Sequence, residues 1–234
     1  MLNDPHFKVI YYEADSKHIF PNVNINGGIA ITYRNSDMEF GAIGTFTQFS
    51  ELNSILRKVR KITTDYLDSI ISSPLSYKLS PLMLKEHPDS VGHLRTSAFS
   101  NLSEIFYQIP PNDGREYIAM IGLSGGKRET RYVRRDYIID SSNTLDCYSV
   151  LMGKANGAAG TIGTPVPARI CGVPIIAPPG TGYTQTFISI GAFEKEQNAK
   201  NLTQYILSKF ARAMLGILKI TQDCPGPKWA YVPL

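Results

Sequence analysis

The sequence predicts a mixed α/β (α+β) fold, in which a mixed β-sheet is flanked by long helices. Two stretches, Glu51–Ser72 and Ala199–Thr221, carry apolar residues at the 3.6-residue period of an amphipathic helix. Shorter runs rich in β-branched and aromatic residues, bounded by glycine and proline, are typical of strands. Apolar residues make up 43% of the 234 residues, enough to bury the core of one large or two small domains.

The N-terminal part predicts a strand, a turn-rich loop and a second strand. The two strands are expected at Phe7–Tyr12 and Gly28–Tyr33, and a third, short strand at Gly41–Phe46. Three strands cannot form an independent domain, so we expect this part to be the end of a larger sheet. The helix Glu51–Ser72 follows and ends before Pro74, because the residue before a proline disfavours helical geometry.

The rest of the chain alternates between strands and helices. Residues 76–95 contain prolines and short apolar groups, which predict a linker with one helical turn, and a short helix is expected at Ser97–Gln108. Further strands are expected after the arginines near residue 132 and at Tyr117–Leu123, Asp146–Met152, Arg169–Ile176 and Tyr183–Ile190. The cations of the last helix, including Lys219, are expected on its exposed face.

The stretch Ala177–Thr184, APPGTGYT, looks like a phosphate loop but lacks the chemistry of one. A phosphate loop places a glycine, a lysine and a helix N-terminus around the anion. Ala177 and Tyr183 stand at the glycine and lysine positions, and the residues that follow favour a strand. We therefore interpret the stretch as a proline-glycine turn between two strands.

The net charge is +4, and the basic residues are concentrated in two clusters. Five cations fall within nine residues, with Glu129 as the one acid among them: Lys127, Arg128, Arg131, Arg134 and Arg135. The second cluster lies on the first long helix and comprises Arg57, Lys58, Arg60 and Lys61. A loop of small residues, 153–167, carries one further cation, Lys154, and permits close approach of another backbone. Such clusters are the electrostatic footprint of nucleic-acid binding, and the alternative is a solvated surface.

Few residues are candidates for catalysis. The four histidines lack acidic or cysteine partners at ligand spacing, and the three cysteines lack metal-type spacing, which suits free thiols in a reducing cytoplasm. Glu194 and Glu196 fit the first turn of a helix better than a nuclease metal site. No run reaches about 18 apolar residues, so no transmembrane helix is predicted. By elimination, the residues favour binding over catalysis.

The order of the segments resembles the adenine-N6 DNA methyltransferases of type II restriction-modification systems. DPHFKVIYYEADSKHIFPNVNINGGIAITYR resembles the last strands of their catalytic domain, and FTQFSELNSILRKV resembles their connecting helix. Three segments are similar to their C-terminal target-recognition domain: YSVLMGKANGAAG, GVPIIAPPGTGYTQTFISIGAFEKEQNAKNLTQYILSKFARAMLGILKITQD and WAYVPL. The resemblance covers most of the chain.

The resemblance implies a division of the chain. Residues 1–50 would be a remnant of the methyltransferase sheet, 51–91 a connecting helix and linker, and 92–234 a DNA target-recognition domain. The family's glycine-rich turn for S-adenosylmethionine and its Asn-Pro-Pro-Tyr/Phe motif for the flipped adenine are absent from this sequence. No cofactor is therefore expected in this chain, which we expect to be a carboxyl-side fragment. S-adenosylmethionine, and Mg²⁺ where the enzyme also cleaves, would act in the parent enzyme.

The sequence thus predicts a sequence-specific DNA-binding fragment of a restriction-modification enzyme, which directs adenine-N6 methylation or cleavage without a complete catalytic site of its own. The expected partners are double-stranded DNA and the methyltransferase or nuclease domain of the parent enzyme. The expected DNA contacts are Lys127, Arg128, Arg131, Tyr132, Arg134, Arg135 and Lys154. The alternative is a protein-interaction module whose C-terminal helix docks on a partner subunit.

Overall fold

The computed structural model describes residues 1–25, 27–47, 49–90, 97–155 and 170–234, and these form an α+β fold, which confirms the predicted class. The strands are, in chain order, β1 (Phe7–Glu13), β2 (Ile29–Arg34), β3 (Ile71–Ser72), β4 (Tyr77–Leu79), β5 (Tyr117–Ser124), β6 (Lys127–Arg134), β7 (Ile138–Asp140), β8 (Tyr148–Gly153), β9 (Ile175–Ala177), β10 (Thr181–Tyr183) and β11 (Phe187–Phe193). The helices are α1 (Ser50–Ile62), α2 (Pro81–Glu86), α3 (Ala98–Asn101), α4 (Glu196–Leu207) and α5 (Lys209–Gly216).

The first two strands form a two-stranded ribbon that is separate from the other sheets. β1 and β2 pair antiparallel, with a bulge between Val9 and Tyr11. Both strands lie where the sequence predicts them. The prediction of a third strand at Gly41–Phe46 is wrong, because Gly41 and Gly44 have φ values of 83° and 68°, far from those of a strand.

The helix predicted at Glu51–Ser72 is shorter than expected. α1 ends at Ile62, and Thr63 is extended, with φ −142° and ψ 151°. The Thr63 hydroxyl accepts a hydrogen bond from the backbone N–H of Asp65, a local contact that competes with the helix. The apolar residues beyond it form a 3₁₀ turn and then β3, which pairs with β11. The apolar period of this segment predicts that the helix continues, but the pairing of β3 with β11, which is distant in the sequence, determines its structure instead.

The linker predicted at residues 76–95 contains more regular structure than expected, and the helix predicted at Ser97–Gln108 is shorter than expected. The expected linker contains a strand, β4, which pairs with β7, and the helical turn predicted within it is present as α2, which Ser80 caps at its N-terminus. The expected helix Ser97–Gln108 is limited to α3, and Tyr107 beyond it forms a bridge with Tyr132 of β6. Residues 91–95 of the linker lie outside the described part of the chain.

Two sheets carry most of the fold. One has three strands in the order β10-β5-β6, with β10 parallel to β5 and β6 antiparallel to it. The other has four antiparallel strands in the order β3-β11-β8-β9. The β5–β6 hairpin turns at Gly125 and Gly126, whose φ values of 54° and 78° suit a type I′ turn. The basic run therefore forms a strand itself, rather than preceding one as predicted.

The prediction of a single strand at Tyr183–Ile190 is wrong, because a turn divides this segment between two strands. β10 ends at Tyr183 and β11 begins at Phe187, whose backbone N–H donates to the carbonyl of Thr184 at 3.1 Å. The turn comprises Thr184–Thr186.

A proline-glycine turn joins β9 to β10, as predicted for APPGTGYT. Gly180 in this turn has a φ of 81°, which glycine adopts without strain. The strand predicted at Arg169–Ile176 is limited to β9, because Pro174 lacks the N–H that a strand ladder needs. Arg169 lies outside the described residues.

The helix predicted at Ala199–Thr221 is divided into α4 and α5. Ser208 between them has φ −63° and ψ 154°, and its hydroxyl accepts a hydrogen bond from the N–H of Ala211 at 3.1 Å, as an N-cap does. Lys219 was expected on the exposed face but is fully buried, and it donates to the carbonyl of Thr221 at 3.0 Å. Burial lowers the pKa of Lys219.

Two hydrophobic cores hold the fold together. The first packs α1, α4, α5 and Trp229 against the four-stranded sheet, and the second surrounds Phe99, Met120 and Tyr183 of the three-stranded sheet region. The segment 51–91, predicted as a connector, contributes side chains to both cores. Among the described residues up to 47, none belongs to either core.

Candidate nucleic-acid interface

The clustered cations lie on β6 and on the short turn that follows it. Side chains on a strand alternate between its faces, so neighbouring cations have different surroundings. Lys127 and Arg128 at the end of the hairpin are exposed. The side chains of Arg131, Arg134 and Arg135 are 17%, 9% and 32% exposed. A continuous run of charge in the sequence therefore divides into two accessible cations and three that are partly or almost fully covered.

Arg134 is the almost fully covered centre of a network whose two carboxylates, Glu86 and Asp136, are partly exposed. Its guanidinium donates to Glu86 and to the Tyr137 hydroxyl at 2.8 Å each, and to the two carboxylate oxygens of Asp136 at 3.0 and 2.6 Å. The hydrogen bonds to Asp136 raise the pKa of Arg134 above its ordinary value, and burial raises the pKa of Tyr137 to about 12. All three nitrogens of the guanidinium are engaged within the protein, so Arg134 is committed to the fold.

Arg131 and Tyr132 also have partners within the protein. Arg131 forms an ion pair with Glu129 at 2.9 Å, and its guanidinium lies 5.4 Å from the centre of the Phe99 ring. Tyr132 exchanges two backbone hydrogen bonds with Tyr107, each 2.8 Å long. These contacts fix both residues on the outer edge of the three-stranded sheet.

Arg135 forms ion pairs with two carboxylates. It lies 2.7 Å from Asp146 and 3.5 Å from Glu116, both of which are largely exposed. The hydrogen bonds to Asp146 raise the pKa of Arg135. Its charge is therefore partly neutralised before any ligand approaches.

The structure brings Arg128 and Lys154 to the same turn. The guanidinium of Arg128 lies 5.5 Å from the centre of the Phe187 ring. Lys154 is exposed, and its backbone N–H donates to the carbonyl of Thr186, the residue before Phe187, at 2.9 Å. Thr186 and Phe187 are consecutive, so Arg128 and Lys154 contact the same short segment. We call this region the turn surface, composed of Arg128, Lys154 and Thr184–Thr186.

The turn itself packs closely against β5. The backbone N–H of Thr184 donates to the carbonyl of Ile121 at 2.9 Å, and the hydroxyls of Thr184 and Thr186 lie 3.1 Å apart. Gly122 permits this packing, since a Cβ there would lie 2.8 Å from the methyl group of Thr184. Between the threonines, the amide oxygen of Gln185 is buried and has no hydrogen-bond partner among the described residues.

Sequence reasoning missed this turn because no glycine or proline marks it. The run from Tyr183 to Ile190 is rich in β-branched and aromatic residues, which favours one strand. The signal that could have revealed the turn is the group of three consecutive polar residues, Thr184–Thr186, inside an otherwise apolar run. Strand alternation alone does not explain such a group.

The second basic cluster lies on the outer face of α1. All four of its members, Arg57, Lys58, Arg60 and Lys61, are exposed. Arg60 donates to the Thr45 hydroxyl at 2.9 Å and lies 5.0 Å from the centre of the Tyr231 ring. Both alternatives from the sequence, a solvated face and a phosphate contact, fit this arrangement.

The described residues offer no metal centre. No group of three or more histidine, cysteine, aspartate or glutamate side chains in these ranges is arranged to hold a metal ion. Glu196 lies in the first turn of α4, as predicted. His93 and residues 156–167 of the small-residue loop lie outside the described part of the chain.

Two broader observations complete the description of the chain. Among the described residues, no helix combines the length and the apolar character that a membrane span requires. No protein-family model, no curated protein and no solved structure matches this chain.

Proposed function

We propose that this chain is a sequence-specific DNA-binding, target-recognition fragment of a cytoplasmic restriction-modification enzyme. In this proposal it directs adenine-N6 methylation or cleavage by a catalytic domain of the parent enzyme, where S-adenosylmethionine and Mg²⁺ would act. The observation that supports it most is that two exposed cations, Arg128 and Lys154, lie close to the same turn, Thr184–Thr186. Exposed cations gathered on one face bind phosphates by releasing counterions.

The contacts of Arg128 suit a role in phosphate binding. Its guanidinium rests on the Phe187 ring and makes long contacts of 3.4 and 3.5 Å to the carbonyl of Val173. These contacts hold the side chain in place while its donors can be redirected to a phosphate. Arg131 and Tyr132 lie further along β6 from Arg128, and Arg135 lies beyond the far end of this strand, beside Glu116, so Arg135 would be at most a peripheral contact.

Replacement of Arg128 and Lys154, together with the exposed neighbouring cation Lys127, tests the proposal. The triple variant Lys127→Ala, Arg128→Ala, Lys154→Ala is expected to bind duplex DNA more weakly at low salt. The salt dependence of its affinity should fall by about one unit of slope for each phosphate contact that is lost. Fluorescence anisotropy with a labelled random-sequence duplex over a series of salt concentrations measures both quantities.

A triple variant on α1 is the matched control, since Arg57→Ala, Lys58→Ala, Lys61→Ala removes the same charge from exposed positions. It is expected to keep most of the affinity. Equal losses in both triple variants would show that net charge rather than the turn surface binds DNA. Unchanged binding by the first variant would contradict the proposed interface.

A second candidate function, a protein-interaction module, is favoured by the N-terminal ribbon. The apolar faces of α4 and α5, which the sequence suggested for docking, are buried in the first core. Instead, ten large apolar side chains are exposed in the first 38 residues: Met1, Leu2, Ile10, Tyr11, Phe20, Val23, Ile25, Ile31, Tyr33 and Met38. Exposed apolar patches mark interaction sites. Association with a partner without salt-dependent DNA binding would favour this candidate over the first.

A further inference from the structure

Gln185 lies in the middle of the turn surface with an unpaired amide oxygen. The hydroxyls of Thr184 and Thr186 on either side lie 3.1 Å apart and engage each other. The amide oxygen of Gln185 is buried without a hydrogen-bond partner among the described residues, although the residue as a whole is only partly buried. A buried oxygen without a partner costs free energy, so the side chain gains by moving to a place where a partner is available.

Two cations lie near the residues that follow Gln185. The guanidinium of Arg128 lies 5.5 Å from the centre of the Phe187 ring, and the backbone N–H of Lys154 donates to the carbonyl of Thr186. Contacts from cations to phosphates position a protein on DNA but carry no sequence information. An amide next to such contacts can supply that information.

We infer that Gln185 reads an adenine in the major groove of duplex DNA, while Arg128 and Lys154 contact phosphates beside it. The inference rests on the proposed function of DNA binding. The amide oxygen accepts a hydrogen bond from the N6 amino group of adenine, and the amide nitrogen donates to N7. Rotation of the side chain out of the turn gives the oxygen the partner that it lacks in the free protein.

Selection from a random-sequence duplex library tests this assignment. The wild-type chain is expected to select a motif with one invariant A·T pair that Gln185→Ala no longer selects. Gln185→Ala should bind the wild-type motif about 5- to 150-fold more weakly, which corresponds to the 1–3 kcal/mol of a bidentate base contact. The salt dependence of its affinity should not change, because no phosphate contact is lost.

Gln185→Glu keeps the size of the side chain but removes its donor. At the motif position where the wild-type chain selects adenine, this variant is expected to select cytosine, because the carboxylate accepts a hydrogen bond from the N4 amino group of cytosine. A residue that only packs in the turn would not produce this exchange. Gln197→Ala on the exposed side of α4 is the matched control and should select the wild-type motif.

The outcomes separate the two proposals. If Gln185→Ala and Gln185→Glu select the wild-type motif with unchanged affinity, the inference is wrong and the proposed function stands. If the wild-type chain binds DNA but selects no motif, base reading by Gln185 is wrong. If the wild-type chain shows no salt-dependent DNA binding, the proposed function itself fails.

Discussion

Arg134 takes its role from its surroundings rather than from its place in a basic run. The side chain is 9% exposed, and it bonds to Glu86 of α2 and to Asp136 and Tyr137 beyond β6. The network therefore ties α2 to the strand that carries the accessible cations. A cation of this kind holds the end of β6 in place without touching a ligand.

Arg134→Ala is expected to lower the free energy of unfolding by about 2–3 kcal/mol, since hydrogen bonds to charged groups are among the stronger ones in proteins. Arg135→Ala is the matched control. It removes the same charge from a partly exposed ion pair, so its effect is expected to be about 0–1 kcal/mol. Urea unfolding followed by circular dichroism measures both changes. Equal losses in the two variants would contradict the structural role of Arg134.

Lys219 makes stability depend on pH. Its side chain is fully buried, and desolvation lowers its pKa below the ordinary value of 10.5, against the influence of Cys224, Cys171 and Asp223. The unfolded chain therefore binds this proton more tightly than the folded chain. The cost of burying Lys219 is greatest at low pH and disappears as the pH rises toward 10.5.

Lys219→Met is expected to raise the free energy of unfolding at pH 7 by about 1 kcal/mol or more, because an apolar side chain of similar length has no charge to desolvate. The advantage of the variant should shrink as the pH rises toward 10. Comparing the two proteins at each pH cancels the opposite effect of other buried groups, such as Cys224, whose pKa burial raises to about 12. Urea unfolding over a pH series measures the difference, and a difference that does not vary with pH would refute the assignment.

At the residue scale, the sequence predicts the identity of the cations but not their burial. Arg128 and Arg134 are equivalent members of one basic run in the sequence. In the structure, one is exposed at the end of a hairpin and the other is enclosed by Asp136 and its neighbours. Part of the difference arises from Glu86 of α2, which is far away in the sequence, and part from the turn after β6, which brings Asp136 and Tyr137 back onto Arg134.

At the element scale, local sequence patterns correctly predict the strands whose ends are determined by residues within or next to the strand itself. β1, β2 and β5 lie within one or two residues of prediction, since alternation and flanking turns agree. The helices are shorter than their apolar periods predict, because the hydroxyls of Thr63 and Ser208 bond to nearby backbone groups. β3, β4, β7 and β9 have two or three residues each and depend on distant partners.

The turn surface depends on three separate strand pairings. β6 pairs with β5 and carries Arg128, β8 pairs with β11 and leads into Lys154, and β10 pairs with β5 and places the turn. None of these pairings except the β5–β6 hairpin joins neighbouring segments. The sequence could therefore identify Arg128 and Lys154 separately as candidate contacts. Only the folded structure shows that both lie close to Thr184–Thr186.

The whole molecule consists of a body with two cores and an N-terminal ribbon. A two-stranded sheet is marginally stable by itself, and this one exposes large apolar side chains such as Ile10, Ile31 and Tyr33. Its contact with the body includes the rings of Tyr12 and Phe46, whose centres lie 5.3 Å apart. The described residues up to 47 contribute nothing to either core. The ribbon is therefore better suited to a partner than to the stability of the body.

A chain that lacks residues 1–44 is accordingly expected to unfold cooperatively at the urea midpoint of the whole chain and to keep salt-dependent DNA binding. If the ribbon docks on a partner domain as proposed, this truncation should lose that association, since most of the exposed apolar side chains have been removed. A chain that lacks residues 226–234 is the control. It loses Trp229 and Val232 from the first core, together with the hydrogen bond from the N–H of Leu67 to the carbonyl of Val232, and is expected not to fold cooperatively. Circular dichroism during urea titration distinguishes the two, and loss of cooperative unfolding in the first truncation would show that the ribbon is part of the body.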